Sequence, residues 1–212
     1  MPLQFHMTPG SCSTGIHILL EELGMVFEVY IVNLLAGDQD TPAYRALNPK
    51  GSIPTLVRED GRALTDFQAI AWWLARQKPK KGLLPEDADG EARVLEIMDY
   101  AIGTLHGQGF ARIFTTEKFA ISLAEHEAVK ARGMEIITRG FDIMDGLLAE
   151  QLRAGQEYAA GRFSIADAAL FYVEFWADRS GIPLPPNCEA HFRRMLTRPA
   201  VRQVLAEEGY RV

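Results

Sequence analysis

Two side chains with chemistry of their own stand at places where a chain can use them. Cys12 lies in Pro9-Gly10-Ser11-Cys12-Ser13, where a first strand hands over to a first helix. A thiol there meets the positive end of the helix dipole and unpaired N–H groups, and both favour the nucleophilic thiolate. The position equally suits a small buried hydrophobe, the usual role of a free cysteine. His106 sits near the end of a long helix. It is placed either to approach Cys12 across a domain cleft, as hydrogen-bond donor or general base, or to act as an ordinary surface or capping histidine before Gly107. Asp66 opens a helix just after a strand, either as a plain N-terminal acid or as a partner for a ligand ammonium at the sheet edge. Pro54 has no N–H, so it opens a strand or sits at an edge. With a cis Ile53–Pro54 bond, the Ile53 backbone would face outward to pair with an extended peptide; with a trans bond, Pro54 only starts a strand. Cys188, in a proline-rich turn, reads as a buried thiol without special context. No metal-ligand spacing and no phosphate-binding glycine loop is found, so no metal is assigned.

These residues need elements to position them. Leu3 to Met7 reads as a short strand, followed by a turn at Thr8-Pro9-Gly10-Ser11. Ile16, Leu19, Leu20 and Leu23 recur at helical spacing, and Gly24 terminates that helix. Phe27 to Ile31 alternates like a half-buried strand. Thr41 followed by Pro42 is an N-cap with proline at the first helical position. A loop at Asn48-Pro49-Lys50-Gly51-Ser52 then leads into a strand at Thr55 to Arg58. Asp60-Gly61 marks a hairpin turn, Ala63 to Thr65 a last strand, and Phe67 to Gln77 a helix. The order predicts a four-stranded mixed sheet: one parallel pair joined through a helix, and one antiparallel hairpin.

After a linker at residues 79–85, everything reads as helix. The expected domains are therefore residues 1–78, α/β, and residues 86–212, all-helical. Ser164 as N-cap with Asp167 three residues on marks the start of a helix that is apolar almost all round, the expected centre of the second domain.

Composition bounds the function. The 212 residues carry 48% hydrophobic and 24% charged residues, ordinary for a globular protein. A net charge of −6 with no Lys/Arg stripe argues against nucleic acid. No apolar run reaches membrane length, and the N-terminus lacks the pattern of a secretion signal. Two cysteines far apart suit a reducing cytoplasm better than a disulfide framework.

Taken together, these motifs resemble the glutathione transferases, most closely the bacterial beta class. Pro9-Gly10-Ser11-Cys12-Ser13 is similar to that class's cysteine loop, and Asn48-Pro49-Lys50-Gly51-Ser52-Ile53-Pro54 to the family's cis-proline segment. Leu64-Thr65-Asp66 leading into Ala69-Ile70 resembles the γ-glutamyl-binding corner. Leu105-His106 matches a helix histidine facing the active site, and Phe163-Ser164-Ile165-Ala166-Asp167 the capping motif of the central helix. The resemblance implies a thioredoxin-like N-terminal domain, a helical C-terminal domain, glutathione as co-substrate without a metal, and a cytoplasmic homodimer. It implies Cys12 and His106 as catalytic residues, with Ser11, Ile53, Pro54, Asp66 and Phe67 holding glutathione. A small hydrophobic electrophile would lie near Phe110 and Phe114. The chemistry would be conjugation, or thiol–disulfide exchange through Cys12, with isomerase or dehalogenase activity on the same scaffold also open. A non-catalytic ligand-binding protein is the alternative. Three departures stand out: Phe67 replaces the usual small residue, residues 34–40 carry no Lys or Arg, and the first strand has no Tyr. Loss of a hydroxyl and addition of a ring at position 67 predict weaker or rearranged glutathione binding.

Overall fold

A computed structural model describes residues 2–211. The chain divides into two compact units, Met1–Pro85 with Arg194–Val212, and Glu86–Arg193.

The first unit is built on four strands: β1 (Leu3–Met7), β2 (Phe27–Ile31), β3 (Thr55–Val57) and β4 (Ala63–Thr65). Their order in the sheet is β2-β1-β3-β4. β1 pairs parallel with β2, and β3 antiparallel with β1 and β4. This is the expected mixed sheet of a thioredoxin-like domain. The crossover from β1 to β2 is helix α1 (Ser13–Leu23), closed by Gly24 in the left-handed conformation. Helix α2 (Pro42–Leu47) starts at Thr41, whose hydroxyl accepts from the Tyr44 N–H. Helix α3 (Phe67–Gln77) follows β4 directly. Phe5, Ile16, Leu19, Leu20, Leu56, Ile70 and Leu74 are all fully buried and form the unit's core.

The second unit is helical. Helix α4 (Ala88–Asp99) continues through π-helical turns at Tyr100–Phe110 into α5 (Ala111–Phe114). Helices α6 (His126–Arg153) and α7 (Ile165–Arg179) follow. Every residue of α7 from Ile165 to Ala177 is buried, and Ser164 and Asp167 form the expected capping box. Helix α8 (Pro186–Thr197) spans the division between the units.

The expected boundary of the helical domain needs a correction at its C-terminal end. Helix α9 (Pro199–Glu207) packs on α1, in the first unit. The cause is a set of polar contacts that spacing along the chain cannot reveal. Arg198 Nε donates to Glu22 at 2.7 Å, and Gln203 Nε2 to Glu21 at 3.1 Å. The Glu208 carboxylate accepts from the Gly10 N–H at 2.8 Å and from the Thr14 hydroxyl at 2.7 Å. Gly10 is required twice here. Its φ is +71°, and a Cβ would lie 1.9 Å from the Tyr210 hydroxyl oxygen.

Candidate active site and membership of a family

In the first unit, the turn before α1 is tied by hydroxyls. Ser13 Oγ accepts from the Thr8 N–H and Ser11 Oγ donates to the Thr8 carbonyl, so both serines hold the cysteine loop. Cys12 is the N-cap of α1 and only 8% exposed. Its thiol faces the Ile53 carbonyl at 3.7 Å. The Ile53–Pro54 bond is cis. The loop that delivers it is held from behind: Asn48 Nδ2 and the Tyr44 hydroxyl both donate to the Ser52 carbonyl at 2.8 Å. Ser11, Cys12, Ile53 and Pro54 are therefore brought together.

The charge state of Cys12 differs from the expectation. Burial pushes its thiol up to about 12, against the N–H groups of Cys12 and Ser13, which pull toward thiolate. The helix end is present, but taking the sulfur out of water outweighs it. Cys188 is wholly buried, as expected, and burial pushes its thiol up as well.

Asp66 stands at φ +72°, the only non-glycine residue with positive φ among those described. Such a backbone costs about 1–3 kcal/mol and collects at ligand clamps. Asp66 is the residue before α3, so its carboxylate stands beside that helix's positive end. Lys50 Nζ pairs with it and also donates to Thr65 Oγ1 at 2.9 Å. Lys50 was not singled out from the sequence. The signal was there in the hairpin: with Asp60-Gly61 as the turn, Thr55 must face Thr65, which lays residues before 55 beside residues after 65. A cation and an anion thus stand together at the start of α3.

The Phe67 ring packs inward. The residue is 4% exposed and its side chain is part of the unit's core. Phe67 is the first residue of α3.

In the second unit, His106, Phe110 and Phe114 form one aromatic cluster with Tyr172 and Trp176. Phe110 and Phe114 stack at 5.6 Å, and Trp176 meets His106, Phe110 and Phe114 edge-on at 4.8, 5.5 and 5.3 Å. His106 Nδ1 lies 3.1 Å from the Tyr172 hydroxyl. Burial pushes its imidazole down to about 4, so the ring is neutral at pH 7 and a weak base. Phe110 is fully buried and Phe114 half exposed. Tyr172 and Trp176, which complete this cluster, were not singled out from the sequence, although their spacing of four in a helix puts both rings on one face.

The first unit thus has the thioredoxin-like fold and sets a buried thiol beside the loop that carries Ile53 and Pro54. Residues 10–77 match the glutathione S-transferase N-terminal domain, and residues 127–194 the glutathione S-transferase C-terminal domain. Glutathione S-transferase GstA of Escherichia coli O157:H7 is 32% identical over 208 residues, 95% of this chain and 96% of the relative. A glutathione transferase homologue from Sulfitobacter, solved with bound glutathione, superposes with a TM-score of 0.86 at 29% identity over 97% of this chain and 98% of that one. A beta class enzyme from Sphingomonas chungbukensis gives 0.81 at 28%, over 97% and 98%. The chain belongs to the glutathione S-transferase family, and it is a glutathione transferase.

Proposed function

We propose that the protein is of the bacterial beta class and conjugates glutathione to small hydrophobic electrophiles, with Cys12 acting as a neutral S–H donor. Glutathione lies extended on the first unit, its cysteinyl backbone paired with Ile53 beside Pro54 and Ser11. Its γ-glutamyl ammonium goes to Asp66, and its carboxylate to Lys50 and the Phe67 N–H at the start of α3. The glutathione thiol loses its proton to water, and the thiolate attacks the electrophile and expels the leaving group. The Cys12 thiol donates a hydrogen bond to that thiolate. Half-exposed Phe114, backed by the buried Phe110 ring, offers the apolar surface for the electrophile, with neutral His106 as a donor. The protein works as a homodimer in the cytoplasm.

The observation that carries this reading is the Cys12 thiol 3.7 Å from the Ile53 carbonyl, with burial holding it protonated. Disulfide exchange would need Cys12 itself as thiolate. The Cys12→Ser variant separates the two. Calorimetry with glutathione and turnover of a chlorinated aromatic electrophile are expected to persist in it, because a hydroxyl still donates. Abolished conjugation in a folded Cys12→Ser protein, or no glutathione binding by the unmodified protein, overturns the reading.

A further inference from the structure

The C-terminal end of the first unit carries a cluster that the reaction does not use. His17, on α1, has a side chain 4% exposed. Its Nδ1 lies 2.9 Å from Oε1 of Glu208, a carboxylate 2% exposed. The other Glu208 oxygen is taken by the Gly10 N–H and the Thr14 hydroxyl. A carboxylate only accepts, so Nδ1 must carry the hydrogen, and in the neutral ring Nε2 is left with the lone pair. That Nε2 is buried and makes no hydrogen bond; Glu207 Oε2 stands 3.2 Å away without hydrogen-bond geometry. Glu21 follows His17 by one helical turn. One ligand atom each from His17, Glu21 and Glu207 lie within 4.8 Å of one another. The Gln203 amide donates to both carboxylates, at 3.1 and 3.0 Å, and holds them turned toward each other.

Two carboxylates converging on an imidazole lone pair leave a place for a cation. We propose that His17, Glu21 and Glu207 form a binding site for a divalent transition-metal ion of the zinc kind. Glu208 orients the imidazole, and the ion fastens the C-terminal segment to α1. The donor set fits: one imidazole and two carboxylates suit such ions. Bonds of about 2.0–2.2 Å in a tetrahedron put neighbouring donors about 3.4 Å apart, near the 3.2 Å between His17 Nε2 and Glu207 Oε2. A carboxylate behind the second ring nitrogen is the usual support of a metal-bound histidine. Glu207 is about half exposed, so an ion can enter and water can complete the shell. The site escapes a reading by spacing because Glu207 lies far along the chain from His17.

Cobalt(II) is the probe, added to protein stripped with chelator. One equivalent is expected to bind, with visible bands of a nitrogen–oxygen site, no sulfur charge-transfer band, and a raised melting temperature. Glu21→Gln and Glu207→Gln change partly or well exposed side chains and leave the fold intact. Each is expected to weaken binding at least tenfold. The proposal is overturned by no saturable uptake, by uptake unchanged in both variants, or by a charge-transfer band that assigns the ion to a cysteine.

Discussion

Cys12 sits under two opposed influences, and their balance predicts its behaviour. Burial holds the thiol at about 12 although two N–H groups favour thiolate. Alkylation by iodoacetamide in the unliganded protein is therefore expected to be slower than for a free cysteine at pH 7 and to rise steadily to pH 10. Intact-mass kinetics check this, and a rate plateau below pH 9 contradicts it. The Lys50–Asp66 pair is more than half exposed, so breaking it to admit a ligand costs little. Asp66→Asn removes the charge, and asparagine tolerates positive φ. A hydrogen bond to a charged group is worth roughly 1.5–3 kcal/mol, so glutathione affinity is expected to fall by about ten- to a hundredfold. Calorimetric titration measures it; unchanged affinity removes Asp66 from the site. At this scale the sequence shows Cys12, Ile53, Pro54 and Asp66, because each sits at a readable junction of strand, turn and helix. Lys50 shows only once the Asp60-Gly61 hairpin register is followed back to the residues before Thr55, and Glu208 is hidden because its partners are set by tertiary packing, which local pattern does not encode.

Elements were legible where one residue dictates a boundary. Thr41-Pro42, Asp60-Gly61, Gly24 and Ser164…Asp167 each satisfy backbone groups or adopt a conformation that ends or begins a helix or hairpin, and all four appear as expected. The π-helical turns at Tyr100–Phe110 were not legible, since the apolar period of a helix changes little over so short a run. Helix α3 is anchored by its first residue. Phe67→Ser empties a buried site and is expected to cost about 3–5 kcal/mol, seen as a lower denaturation midpoint. Full stability with tighter glutathione binding would return the ring to the ligand. Helices α7 and α8 share a buried triad: His191 Nδ1 lies 2.8 Å from Glu174, and Nε2 3.1 Å from Asp167. Burial pushes Glu174 up to about 7, although the His191 charge opposes it. Burial alone would lower His191, but Glu174 and Asp167 hold it at about 10. Both folded values lie above the unfolded ones, near 4.5 and 6.5. The folded state therefore binds more protons than the unfolded one between about pH 4.5 and 10, and stability from this triad falls as pH rises through that window. Thermal melts of the protein and of Glu174→Gln are expected to diverge in slope between pH 4.5 and 7. Parallel slopes contradict the assignment.

For the whole molecule, chain order and spatial grouping disagree only at the end. Residues 194–212 follow the helical unit in sequence but belong with the sheet unit, where the Gly10 N–H before α1 and the Thr14 hydroxyl in its first turn both donate to the Glu208 carboxylate. No local signal announces this; an acidic residue near a C-terminus reads as solvated. The surface raises a second question of assembly. β2 is an edge strand, and Val29, Tyr30 and Ile31 on it are 45%, 40% and 59% exposed, with Val26 and Leu35 beside it more exposed still. Trp72 on α3 is 42% exposed. Val29 and Ile31 lie two apart and share one face of the strand. An unpaired edge carrying β-branched and aromatic side chains invites pairing or aggregation unless something covers it. Apolar area removed from water contributes about 25 cal/mol per Å², so a second copy placed over such surface would be held mainly by burial rather than by charge. The expected state is a homodimer whose association tolerates high salt. Sedimentation at micromolar concentration, with and without 1 M sodium chloride, measures it: twice 23.6 kDa in both conditions agrees. A 23.6 kDa species in either would mean that these side chains face water or another partner.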